Sequence, residues 1–179
     1  MEQVLSDLPG DLAAAVLVVQ HLERDRDSRL PWLLGLHTTL PVHPATNDAP
    51  ILPGHVYVAV PDEHLLARAG HLVLDDSALV RFSRPSIDVL FESVAMSCGP
   101  RAIAVVLSGA GSDGAAGVRA IHGAGGVVIA QDAHEAAYGS MPAHAFATGC
   151  VDLVLRLHDI GPALVRLVNG SSEIGEGCA

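Results

Sequence analysis

Residues 104–132 read AVVLSGAGSDGAAGVRAIHGAGGVVIAQD, and their pattern decides the fold. An apolar, β-branched run ends at Leu107. A loop with glycine at 109, 111, 114 and 117 follows, then a helical pattern to about Ala124. A second apolar run, Val127 to Ala130, closes on Gln131 and Asp132. Continuous apolar strands separated by a helix and Gly-rich turns make a β-α-β unit, because the strands of a parallel sheet are covered on both faces. In such sheets ligands and chemistry collect beyond the carboxyl ends of the strands. The Gly-rich loop lies at that end.

This loop supports three readings. Gly109-Ala110-Gly111-Ser112-Asp113-Gly114 matches G-x-G-x-x-G between a strand and a helix, with Asp132 ending the next strand, which is a dinucleotide-binding pattern. Against it, the Asp113 carboxylate would compete with a pyrophosphate for the positive helix start. A second reading makes Ser112 a nucleophile, although its spacing departs from the G-x-S-x-G elbow and a helix cap is the simpler role. A third makes Asp113 an orienting acid, held ionised by loop N–H groups, which fixes the tautomer of a histidine on the same sheet edge. His21 supplies one, because Ala13 to Val19 reads as a buried strand that delivers Gln20 and His21 to its carboxyl end.

Composition narrows the function classes. The chain has 179 residues, half of them hydrophobic and 17% charged, enough for one domain with a substantial core. A net charge of −10 and no Lys/Arg cluster argue against a nucleic-acid surface. Cys98, Cys150 and Cys178 are an odd number at wide spacing, which fits a reducing cytoplasm. The longest apolar run, Leu12 to Val19, is too short to span a membrane. No two of the ten histidines fall at a helical i, i+4 spacing with a carboxylate beside them and there is no Cys-x-x-Cys, so no metal site is expected.

The rest of the chain places further elements. A short helix is expected over Glu2–Leu8, ended by Pro9-Gly10. Glu23 to Arg29 is a charged, solvated turn or helix start, and Leu30 to Leu40 an amphipathic segment with the sole tryptophan, Trp32. A Pro-rich loop from Pro41 to Pro53 precedes a strand of alternating character, Gly54 to Val60. Leu65–Arg68 and His71–Leu74 flank Ala69-Gly70 as a hairpin, which gives the sheet an antiparallel edge. Asp75 to Arg84 is a loop, and Ser86 to Cys98 an amphipathic helix. Glu135 to Gly149 holds a short helix, Val151–Leu155 a last strand, and Asp159 caps a last helix to Asn169. The fold class is therefore α/β: a doubly wound, mostly parallel sheet with helices on both faces and an antiparallel hairpin at the edge. Residues 1–170 form the domain and 171–179 a flexible tail.

Five stretches then combine: Val18-Val19-Gln20-His21, LPGHVYVA (52–59), RPSIDVLF (84–91), LSGAGSDGAAG (107–117) and Ala130-Gln131-Asp132. In order and spacing the chain resembles the catalytic domain of the chemotaxis protein-glutamate methylesterases, the CheB family, over nearly its full length. The resemblance implies a cytoplasmic hydrolase that removes methyl groups from glutamyl esters on chemoreceptor helices, with glutamine deamidation in some members. It implies a Ser-His-Asp triad with no cofactor or metal. By resemblance His21 is the general base, Asp113 its orienting acid, and the Ala110 N–H an oxyanion donor.

The family's serine lies in a Gly-Ala-Ser-x-Gly-Gly turn after a first strand, ahead of the helix that here begins at Glu2. Neither strand nor turn is in the sequence. The chain is therefore expected to be short by roughly a dozen residues, to be inactive as it stands, and to associate through unpaired strand edges as a homo-oligomer. The receiver domain that usually precedes the catalytic domain is expected to be missing too. Two alternatives follow: a serine-less binding module, and a dinucleotide-binding protein. Ser108 and Ser112 are the local substitutes for the missing serine.

Overall fold

The computed structural model describes residues 1–21 and 28–175. In chain order the elements are α1 (Glu2–Ser6), β1 (Val16–Val18), α2 (Leu30–Gly35), β2 (Val42–Pro44), β3 (Val56–Val58), β4 (His64–Arg68) and β5 (His71–Asp75). There follow α3 (Ile87–Cys98), β6 (Ile103–Val106), α4 (Ala115–Gly123), β7 (Val127–Gln131), α5 (Ser140–Phe146), β8 (Leu153–Leu155) and α6 (Leu157–Gly175). Most of the charged stretch expected at Glu23 to Arg29, and the last residues of the expected tail, lie outside the described residues.

The apolar runs around the Gly-rich loop become β6 and β7, paired in parallel with Ala104 opposite Val128 and Val106 opposite Ala130. Parallel β8 extends this sheet to the order β6-β7-β8. Side chains leave alternate faces of a strand, and β7 is covered on both: Val128 joins one core cluster and Ile129 another. That double cover is why the run is apolar without interruption. A second parallel sheet has the order β1-β3-β2. In β3, Val56 and Val58 face one cluster and Tyr57 the other, so the strand expected to alternate is buried throughout.

Several expectations are corrected. The segment Pro41 to Pro53 is not all loop, because Val42–Pro44 forms β2. It is an edge strand, where a proline without an N–H is tolerated. The hairpin forms with Leu65 opposite Leu74 and its turn at Ala69-Gly70, both at positive φ. It stands as its own two-stranded sheet instead of extending a parallel one. It is docked on α3, where the Ala67 N–H donates to Ser93 Oγ (3.0 Å) and Ser97 Oγ donates to the Ala67 carbonyl (2.7 Å). The last helix begins at Leu157, so Asp159 lies inside its first turn and does not cap it, and it runs past Asn169 to Gly175.

The two parallel sheets share cover on both sides. Leu17 and Ala104 border one cluster, Val16 and Ile103 another. Among the described residues β1 pairs with β3 alone and β6 with β7 alone, which leaves one edge of each strand unpaired.

Helices α3 and α4 meet closely and exchange caps. Asp113, just ahead of α4, accepts the first N–H groups of α3, from Ile87 (Oδ2, 2.8 Å) and Asp88 (Oδ1, 3.0 Å). Asp88, in the first turn of α3, accepts the Gly117 N–H of α4 at Oδ1 (2.8 Å). Each carboxylate thus meets the positive end of the other helix. The approach requires glycine at 117, where a Cβ would meet Phe91 Cβ at 2.5 Å and the Asp88 backbone at 3.2 Å. Gly117→Ala is expected to lower stability by about 1–3 kcal/mol through overpacking, measured by urea denaturation; an unchanged midpoint would show that the helices can part without cost.

Candidate active site

Three chain segments converge at the carboxyl ends of β1 and β6. The first brings His21, three residues beyond β1, to Asp113, which follows β6 by way of the Gly-rich loop. His21 Nε2 lies 2.7 Å from Asp113 Oδ2. A bond between residues beyond the carboxyl ends of two strands puts both ends on one rim, so the strands run in the same direction. An ionised carboxylate can only accept. Nε2 is therefore the donor, and Nδ1 carries the ring's lone pair.

Asp113 is 5% exposed and satisfied on every side. Ser86 Oγ donates to Oδ1 (2.8 Å), and so does the Gly114 N–H (3.0 Å), in addition to the two α3 amides. Burial alone would push the carboxyl upward. The bonds from His21, the Ile87 and Asp88 amides and Ser86 outweigh burial and hold it below its ordinary 3.8. The expected loop N–H donors are thus largely the start of α3.

The network continues inward. The Ser86 N–H donates to Nδ1 of His64 (3.1 Å), a fully buried side chain whose Nε2–H donates to the Ala78 carbonyl (3.2 Å). On the outer side, Arg81 bonds Asp88 Oδ2 (3.0 Å) and Ser112 Oγ (3.3 Å). Arg84, next to the cis Arg84–Pro85 bond, joins Asp62 (Nη2 to Oδ1, 2.8 Å) to the carbonyls of Asp76 and Ser77.

The loop itself is pinned from behind. Buried Gln131 accepts the Ser108 N–H (2.9 Å), and Ser108 Oγ accepts the Tyr138 N–H (2.9 Å). Gly109 donates to the Tyr138 carbonyl and accepts from the Met141 N–H (2.8 and 3.0 Å). Ser140 Oγ donates to the Gly111 carbonyl (3.1 Å). Ala110, exposed between these anchored residues, has an N–H with no acceptor among the described residues.

Of the residues singled out in the sequence, His21 and Asp113 are in contact and Ala110 lies in the loop that connects β6 to Asp113. Ser112 faces Arg81 and Ser108 faces Tyr138, so neither hydroxyl bonds His21. Ser86, Asp88, Arg81, His64 and Gln131 were not expected at the site. A serine with an acid two residues later at a helix start, Ser86-Ile87-Asp88, was the one local signal for any of them.

A dinucleotide does not fit here. Asp88 takes the Gly117 N–H and Asp113 the Gly114 N–H, so two carboxylates occupy the helix start that a pyrophosphate would need. Among the described residues, no group of three or more His, Cys, Asp or Glu could hold a metal, and no helix is long and apolar enough to cross a membrane. A cavity of about 330 Å³ has Gln20, the chain neighbour of His21, in its wall together with Met1, Glu2, Gln3, Leu30, Leu34 and Leu157.

The chain is similar to known proteins over nearly its full length. The family model described as CheB methylesterase matches residues 1–164. The chain is 38% identical over 173 residues to protein-glutamate methylesterase/protein-glutamine glutaminase 4 of Myxococcus xanthus, covering 96% of this chain and 49% of that protein. It is 39% identical over 176 residues to the enzyme so named from Moorella thermoacetica, covering 96% of this chain and 42% of the other. The chain thus spans less than half the length of these two curated relatives. The crystal structure of the Thermotoga maritima CheB methylesterase catalytic domain superposes with a TM-score of 0.88 at 31% identity, covering 93% of this chain and 90% of that one. On fold, motif order and the extent of these matches, the chain belongs to the CheB methylesterase family.

Proposed function

We propose that this chain works as the catalytic domain of a cytoplasmic protein-glutamate methylesterase, which hydrolyses glutamyl methyl esters on chemoreceptor helices. The observation that carries the reading is the 2.7 Å bond from His21 Nε2 to an Asp113 carboxylate that accepts from every other side. In this mechanism Nδ1 of His21 takes the proton of a serine hydroxyl as the oxygen attacks the ester carbonyl, and Asp113 stabilises the imidazolium. The oxyanion of the tetrahedral intermediate takes the Ala110 N–H, which has no other acceptor among the described residues. The imidazolium returns its proton to the departing methanol. Water, activated by the same nitrogen, then releases the glutamate carboxyl and regenerates the serine.

The serine comes, on this reading, from a strand seated between the open edges of β1 and β6. Two features support it. Both edges are unpaired among the described residues, and both strands end on the rim that holds His21 and Asp113. Residues leading into α1 would also pass the cavity that Met1 shares with Gln20, the neighbour of His21. A second reading, a module that binds esterified receptor without turnover, is favoured by the serines present. Ser86, Ser108, Ser112 and Ser140 all bond groups other than His21.

An N-terminal extension carrying a strand and the Gly-Ala-Ser-x-Gly-Gly turn is expected to give the protein methanol-releasing activity on a methylated receptor fragment. In that extended form His21→Ala and Asp113→Asn should each lower kcat/KM by a factor on the order of 10³ to 10⁴. Unchanged rates in either variant would remove the residue from the mechanism. Binding of the receptor fragment by both forms with hydrolysis by neither would favour the binding module.

A pH effect follows from Asp113. Its folded carboxyl titrates below 3.8, so the stability it contributes is complete above that value and is lost as pH falls through the lower folded value. Asp113→Asn should be less stable than the parent at pH 7, and should lose less additional stability between about pH 5 and pH 2. Denaturant titrations across this range test it; parallel acid limbs for the two proteins would refute the linkage.

A further inference from the structure

Two exposed aromatic rings stand at the two ends of the Gly-rich loop: Phe82, 95% exposed, and Tyr138, 69% exposed. Tyr138 is tied to the start of the loop by its backbone bonds with Ser108 and Gly109. Phe82 is tied to its end through its neighbour Arg81, which bonds Ser112 and Asp88. Of the other aromatic side chains, Tyr57 and Phe91 are buried in the core, while Trp32 and Phe146 are exposed on α2 and α5 and, among the described residues, have no bond to the Gly-rich loop.

The backbone at Phe82 is held in a strained state. Val80 and Ser83 exchange N–H···O bonds of 3.1 and 2.9 Å, which makes Arg81 and Phe82 the two central residues of a tight hairpin turn. Their φ angles are 49° and 65°. Such turns need φ above zero at both places and usually take Asn-Gly there, because a Cβ crowds the following carbonyl. Arg81 gains an ion pair in this position. Phe82 gains no cover from the chain, and glycine would fit the backbone better. Strain kept at a site without an internal contact to offset it points to a contact made with something else.

The geometry points to Phe82, together with Tyr138, as a docking clamp for the polypeptide that carries the ester. The rings take apolar side chains next to the ester-bearing residue while the ester enters at His21. This rests on the esterase reading above. A polypeptide is the fitting occupant because an ester attached to a protein brings neighbouring side chains to both ends of the loop. Aromatic rings offer large contact area with little conformational entropy to lose.

The test is binding of this chain to two helical peptides, each with one glutamyl methyl ester. One has leucine three and four residues to either side, on the same helical face; the other has serine at those places. The wild-type protein should prefer the leucine peptide. Phe82→Gly should keep or raise Tm, because glycine relieves the positive φ, yet lose about tenfold in affinity for the leucine peptide. Phe82→Trp should retain that affinity. Equal binding of the leucine peptide by wild type and Phe82→Gly would overturn the clamp and leave the esterase reading standing. No binding of either peptide by the wild-type protein would overturn both. Unchanged peptide affinity with loss of self-association in Phe82→Gly would assign the ring to a second copy of the chain and overturn the clamp.

Discussion

Two buried carboxylates, each seated on the other's helix, hold this structure together at the point where its chemistry is proposed. A buried charge is costly unless hydrogen bonds replace water. Asp113 and Asp88 meet that demand with the first amides of α3 and with the Gly117 amide of α4. Three consequences follow from the same bonds. The helices are drawn close enough to exclude any side chain at 117, the loop after β6 is fixed at its far end, and His21 is offered an acceptor that stays ionised. The same bonds fill the helix start that a G-x-G-x-x-G motif would otherwise open to a phosphate.

The parallel architecture was legible in the chain because burial on both faces leaves a strand no polar position. Val127 to Ala130 carries that signal plainly, and Ala13 to Val19 does so around the shorter β1. The pairing of His21 with Asp113 was legible by topology, since each follows a strand that ends on the same rim. What could not be read depends on distance along the chain. Asp113 caps a helix that begins more than twenty residues before it, and no local pattern marks a cap supplied from elsewhere. Ser86 looks like a cap for its own helix, but its hydroxyl goes to Asp113. The β2 strand was hidden by Pro44 within it and Pro41 just before it, and Pro44 is tolerated because the strand lies at an edge.

The molecule has two three-stranded parallel sheets, and the His21–Asp113 bond joins them across unpaired edges. Shared clusters on both sides keep the halves in one layer, with Leu17 and Ala104 on one face and Val16 and Ile103 on the other. The site is therefore built by bringing two half-domains into register, and no single motif contains it. Its sequence signature is spread over five short stretches for that reason.

The hydrogens around Ser86 run outward from it in two directions. Its amide hydrogen goes to His64, whose own ring hydrogen is directed to Ala78, while its hydroxyl hydrogen goes to Asp113. Asp113 is thus surrounded by groups that direct their hydrogens at it. Among the described residues, a Grotthuss relay from the rim into the core stops at the Ser86 hydroxyl, because the link onward to His64 runs through a backbone amide. In the proposed mechanism, a proton picked up by the His21 ring leaves through Nδ1, the way it came.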